Sequence, residues 1–73
     1  MIQPSIIYHI IHHGRGFKLV REGAYHATRV FPDGLSMSRA IGWYLLNRNV
    51  QMVIHKRDGS VLRIIDTDRT IPV

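Results

Sequence analysis

The sequence predicts a single α+β domain in which one helix packs on one face of a mainly antiparallel sheet, in the order β-β-β-α-β-β. Both ends of the chain are rich in β-branched and aromatic residues, which favour strands. One central segment carries apolar residues at helical spacing. Asp58-Gly59 is a strong two-residue hairpin signal. With only 73 residues, we expect one domain over residues 1–73.

The first three strands are predicted to form an antiparallel meander. Residues 6–11 are mostly isoleucine, so apolar side chains point to both faces of this strand. Glycines at 14 and 16 break it, and residues 17–22 alternate between two faces. A third strand is expected at about residues 26–31.

The helix is expected over residues 37–48, after a turn at Pro32-Asp33-Gly34. Ser36 is the predicted N-cap, since its hydroxyl can accept from a backbone N–H of the first turn. Arg39 would then stand where a capping box places glutamate, and its charge would oppose the helix dipole.

The apolar residues of this helix are predicted to divide into two groups. The expected core face comprises Met37, Ile41, Tyr44 and Leu45, with Ala40 at its edge. Trp43 and Leu46 point well away from that face. The helix is expected to end at residues 47–49.

The last two strands are expected at residues 50–57 and 60–66. Both faces of this hairpin carry apolar side chains, so the alternation does not indicate which face lies inside. The tail of about residues 67–73 is expected to be flexible.

Composition excludes several classes of site. The chain has no cysteine, hence no disulfide and no thiolate chemistry, and a reducing, cytoplasmic setting fits. No apolar run approaches the roughly 18 residues of a membrane span. Residues 1–4 lack the features of a signal peptide. A domain this small leaves little room for a deep active site.

Charge is the first indication of function. Ten basic residues, eight of them arginine, face five acidic ones, for a formal net charge of +5. Such a chain attracts acidic partners, either nucleic acid or an acidic protein surface. Arginine suits bidentate contacts with carboxylate or phosphate. The arginines are scattered singly, which is not typical of a nucleic-acid-binding stripe.

Two strings of residues, Arg-Glu-Gly-Ala at 21–24 and Val-Ile-His-x-Arg-Asp-Gly at 53–59, carry a resemblance. The chain resembles an uncharacterised family of small bacterial α+β domains over about 55 residues. It departs from that family at Phe17, where tryptophan is usual, and at Arg39, where glutamate is usual. Gly42-Trp43-Tyr44 also differs from the family's Ala/Glu-rich helix. The resemblance implies the fold and no settled activity. Its other matching positions are His9, Gly16, Val20, Ala27, Thr28, Ala40 and Val61.

In size, basic charge and lack of cysteine, the chain is similar to the small transcription regulators of lytic bacteriophages. This resemblance implies an adaptor in the bacterial host cytoplasm that binds the large subunits of RNA polymerase. It also implies inhibition of transcription initiation, together with antitermination. Because no motif carries the resemblance, it assigns no residue a role. We expect a monomer that does not bind membranes.

The sequence indicates neither catalysis nor a cofactor. Zinc needs three or four ligands held together, and the five histidines (9, 12, 13, 26 and 55) show no ligand spacing. We therefore expect no metal site, and His55 is interpreted as a half-buried strand residue with a hydrogen bond. No Ser/His/Asp set has a recognisable spacing. The protein is predicted not to be an enzyme.

Trp43 is the main candidate for a contact with a partner. Tryptophan off the core face of the only predicted helix is typical of an interface. Arg39 and Leu46 lie on the same side of that helix, and Arg21 adds a second cation. A rotated helix, or an N-terminal segment folded over Trp43, would explain the residue equally well.

Two other contacts remain open. If residues 6–11 formed a sheet edge, a partner could add a strand to them, although a covered core strand is favoured. Alternatively, aromatic residues beside arginines on a sheet face could stack nucleic-acid bases. The candidates for stacking are Tyr8, Phe17, Tyr25 and Phe31.

Overall fold

A computed structural model describes residues 6–66 of the chain. The fold is α+β, with a five-stranded, mostly antiparallel sheet and one helix, as predicted. The predicted flexible tail lies outside the described residues. The elements are β1 (Ile6–His13), β2 (Gly16–Arg21), β3 (Arg29–Phe31), α1 (Gly34–Asn47), β4 (Val50–His55) and β5 (Val61–Asp66).

The sheet has the strand order β3-β2-β1-β4-β5. The first three strands form the predicted antiparallel meander, and β4 and β5 form the predicted hairpin. Helix α1 carries the chain across the sheet, so β4 pairs with β1 in parallel. The edges are therefore β3 and β5. The favoured prediction of a covered core strand for residues 6–11 is confirmed, and the alternative of a contact at a sheet edge is excluded, because β1 is the central strand.

The core lies between α1 and one face of the sheet. Its buried residues are Ile10, Leu19, Phe31, Ala40, Val50 and Met52. The predicted core face of the helix packs against them. Because side chains alternate along a strand, the residues between these core positions point to the opposite face, which α1 does not cover. We call this the open sheet face; it carries Ile7, His9, Ile11, Val20, Val53 and Ile64.

The helix begins earlier than its sequence predicts. Asp33, not Ser36, is the N-cap, and its side chain accepts a 2.8 Å hydrogen bond from the backbone N–H of Ser36. Asp33 has the extended backbone of an N-cap, and Ser36 is the third helical residue. Arg39 therefore lies in the second turn, so its predicted conflict with a capping box in the first turn does not exist.

The N-cap also predicts how stability depends on pH. The hydrogen bond from the Ser36 backbone holds the pKa of Asp33 below its ordinary value of 3.8, with a smaller contribution from Arg39. A carboxyl whose pKa is lowered on folding stabilises the fold above its unfolded pKa, and this is lost as pH falls through the folded pKa. In urea titrations, wild type should exceed Asp33→Asn in stability at pH 7, and the difference should shrink as the pH falls below 3.8 and Asp33 takes up a proton. Parallel stability curves over that range would contradict this role for the charge.

The β4–β5 hairpin is present, with a longer loop than predicted. The Gly59 N–H donates to the Lys56 carbonyl and the Lys56 N–H to the Ser60 carbonyl, which encloses three residues rather than two. Gly59 has a φ of 95°, a conformation that side chains disfavour. Asp58 accepts from both the backbone and the hydroxyl of Ser60. This geometry is a three-residue hairpin closed by a left-handed glycine.

Candidate functional site

The side of α1 that faces away from the sheet carries four large side chains. Leu35, Arg39, Trp43 and Leu46 follow one another at spacings of four, four and three residues, so they form one stripe. Leu35 is 63%, Trp43 49% and Leu46 87% exposed, and Arg39 is exposed too. We call this stripe the outer helix face. Three large apolar side chains on the solvent side of an amphipathic helix are unusual, which makes this stripe a candidate contact surface.

Trp43 has a defined setting on this face. Its ring packs edge-on against Tyr44 with ring centroids 5.3 Å apart. The Arg48 guanidinium carbon lies 5.3 Å from the centre of the Trp43 ring, in a cation–π arrangement. Asn47 donates a 2.9 Å hydrogen bond to the Trp43 carbonyl and secures the last turn. The indole is therefore half-exposed and held in place, as an interface anchor is.

The structure brings together three of the four predicted contact residues. Arg39, Trp43 and Leu46 share the outer helix face, and the prediction that Trp43 and Leu46 point away from the core is confirmed. A rotated helix is therefore excluded; residues 1–5, the other explanation for Trp43, lie outside the described residues. Leu35 was missed because the helix was expected to begin at residue 37. Leu35 lies four residues before Arg39, and this helical spacing is the sequence signal that could have placed it on the same face.

Arg21 lies apart from this stripe, at the end of β2. It is the Cα partner of Tyr8, on the helix-covered side of the sheet. The Tyr8 ring contacts the Tyr44 ring at 5.3 Å, and Tyr44 in turn contacts Trp43. Arg21 is exposed. Tyr8 and Tyr44 therefore lie between Arg21 and Trp43. Arg21 adds positive charge at the same end of the molecule as Trp43.

The outer helix face has positive charge and no acid of its own. Residues 34–47 contain no aspartate or glutamate, while Arg39 lies within the stripe and Arg48 covers Trp43. The carboxylate of the N-cap Asp33 interacts electrostatically with Arg39. A partner that covers this face must therefore supply apolar side chains and, opposite the arginines, negative charge.

The aromatic residues proposed to stack bases are not together on an uncovered face. Phe31 is buried in the core, and Tyr8 and Phe17 pack against that core on the helix-covered side. Only Tyr25 is fully exposed, and it lies in the loop between β2 and β3. The predicted aromatic platform for nucleic acid is therefore wrong for Tyr8, Phe17 and Phe31.

A polar network crosses the open sheet face. His9 Nδ1 lies 2.8 Å from His55 Nε2, and His9 Nε2 lies 3.0 Å from Glu22 Oε1. His55 Nδ1 lies 2.9 Å from the Gly59 carbonyl oxygen. The prediction that His55 is half-buried and hydrogen-bonded is thus confirmed. The pairing of His9 with His55 was missed, because 46 residues separate them and only the parallel β1–β4 register brings them together.

Hydrogen-bond chemistry fixes the protons at the two ends of this network. A carboxylate and a backbone carbonyl can only accept, so His9 Nε2 and His55 Nδ1 must donate to Glu22 and Gly59. The two inner nitrogens then face each other at 2.8 Å. The outer partners therefore determine which nitrogens of the histidine pair face inward.

No group of three or more histidine, aspartate or glutamate side chains within residues 6–66 is arranged to hold a metal ion. An open, shallow depression lies beside Arg21, Glu22, Gly23 and Ala24. No helix in the described range is long and apolar enough to cross a membrane.

Comparison with known proteins assigns no family. No family model, no curated protein and no solved structure matches the chain. The resemblances drawn from the sequence therefore stay predictions.

Proposed function

We propose that the protein is a non-enzymatic adaptor that binds a larger protein through its outer helix face. One observation carries the proposal: Leu35, Trp43 and Leu46 form an exposed apolar stripe around Arg39, opposite the core of the only helix in the described chain. Exposed tryptophan and arginine are the residues that most often anchor interfaces. The partner surface that fits is a segment with apolar side chains flanked by carboxylates.

The proposed partner is bacterial RNA polymerase, contacted at its large subunits. The net charge of +5 supports recruitment by an acidic surface. The choice of polymerase rests on the similarity in size and charge to small phage transcription regulators. In this proposal the bound adaptor inhibits transcription initiation and also acts in antitermination. It does so by occupying a surface, without chemistry of its own.

Substitutions on the outer helix face test this proposal. Trp43→Ala, or the double reversal Arg21→Glu with Arg39→Glu, should weaken binding to purified core polymerase at least tenfold, about 1.4 kcal/mol. Both variants should stay folded, because none of the three substituted residues belongs to the buried core. The matched control is Leu62→Ala, which removes a side chain of similar exposure (60%) from β5 and should bind like wild type.

Three outcomes would contradict the proposal. Polymerase subunits absent from a low-salt pull-down with wild-type protein would exclude the partner. Equal binding by all variants would exclude the outer helix face. Steeply salt-dependent retention on a nucleic-acid column, unaffected by Trp43→Ala, would favour direct binding to nucleic acid instead.

A further inference from the structure

The histidine pair on the open sheet face has the construction of a small chelating site. His9 is on β1 and His55 on β4, and Val53, the β4 partner of His9, lies one same-face position before His55. Their ring centroids are 5.0 Å apart and their planes differ by 31°. The side chain of His9 is 24% exposed, so the pair is open to solvent on one side. Ions and water can therefore reach it.

The partners of the outer nitrogens strengthen this interpretation. Histidines that bind metals almost always donate their second ring N–H to a carboxylate or a backbone carbonyl, which fixes the tautomer and the ring. Here the Glu22 carboxylate is the acceptor for His9, and the Gly59 carbonyl is the acceptor for His55. Each ring is thereby set to direct the lone pair of its inner nitrogen toward the other ring. Two lone pairs that face each other at 2.8 Å repel, and a cation bound by both of them removes that repulsion.

We propose that His9 Nδ1 and His55 Nε2 form a two-nitrogen site for a divalent transition-metal ion, with copper(II) bound most strongly. The two nitrogens lie 2.8 Å apart, so one ion can contact both of them once the rings turn. Imidazole nitrogen suits copper, nickel and zinc, and among divalent first-row metals copper(II) has the highest affinity.

Binding needs only a local adjustment. The rings turn so that both lone pairs converge on the ion. Glu22 is 57% exposed at its side chain, so it can follow His9. Water completes the coordination, since no third protein ligand is in place among the described residues. This site lies on the face of the sheet opposite α1, and it does not depend on the proposed function.

The test is calorimetric titration of tag-free, full-length protein with nickel(II) chloride, and then with copper(II) chloride. Wild type should bind one equivalent. His9→Gln and His55→Gln should each weaken binding at least tenfold, and Glu22→Gln about tenfold through loss of the outer carboxylate. The matched control is His26→Gln, an exposed loop histidine outside the network, which should bind like wild type.

A second measurement on the wild type keeps the proposal testable if a variant unfolds. Copper(II) broadens NMR signals of nearby nuclei, so signals of His9, Val53 and His55 should disappear before those of Trp43 and Leu46. Absence of binding by wild type, equal loss in His26→Gln and His55→Gln, or broadening centred elsewhere would each overturn the proposal.

Discussion

Replacing Gly16 with alanine should destabilise the domain by about 3 kcal/mol or more. A Cβ at this position would lie 1.9 Å from the Phe31 carbonyl oxygen and 2.9 Å from the Pro32 carbonyl carbon. Both atoms belong to the backbone, so no side-chain rotation relieves the clash, and β3 must move away from β2. Overpacking a closed interior typically costs about 1–3 kcal/mol, and a backbone clash lies at or above that limit. Urea unfolding measures the loss.

Gly42→Ala is the matched control for this substitution. Gly42 lies within α1, and a Cβ there meets no atom within 4 Å. Because alanine favours helix over glycine by about 1 kcal/mol, this variant should be more stable than wild type. If Gly16→Ala unfolded at the same urea concentration as wild type, the close approach of β2 to the end of β3 would be wrong.

Met52→Ala should cost about 2–5 kcal/mol, the usual range for a buried side chain truncated to alanine. Met52 is fully buried between the sheet and α1. Leu62→Ala, in the neighbouring strand, should change stability by about 0.5 kcal/mol or less, because Leu62 is largely exposed. Comparison of the two variants shows which face of the hairpin lies against the core. The alternation of apolar residues in the sequence does not show this. Equal unfolding midpoints would contradict this assignment of the faces, and a larger loss for Leu62→Ala would place the helix on the opposite face.

Local patterns predict most of the elements of this fold. Strands rich in isoleucine and valine, the Asp58-Gly59 turn and the helical spacing of Met37, Ile41 and Tyr44 each depend on near neighbours in sequence. The helix start was misplaced, because Asp33 and Ser36 are both good N-caps and only the folded chain shows which one accepts the hydrogen bond.

The sequence patterns could not predict pairing between strands that are far apart in the chain. The position of β1 at the centre of the sheet follows from its parallel pairing with β4, which no local signal encodes. The isoleucines on both faces of β1 are consistent with a covered central strand. They are also consistent with a strand at the sheet edge that exposes an apolar face. The same pairing creates the contact between His9 and His55. Residues on one helix, Arg39, Trp43 and Leu46, could be grouped in advance because helix geometry alone places them together.

The most direct test of the outer helix face as the binding surface is an NMR titration of isotope-labelled protein with a small fraction of unlabelled core RNA polymerase. Binding to so large a particle broadens the signals of the contacted residues most. The signals of Leu35, Trp43 with its indole N–H, and Leu46 should lose intensity first, while those of Leu62 and Ile64 on β5 persist. Intensity lost first on β5, or uniformly retained across the whole spectrum, would contradict the account.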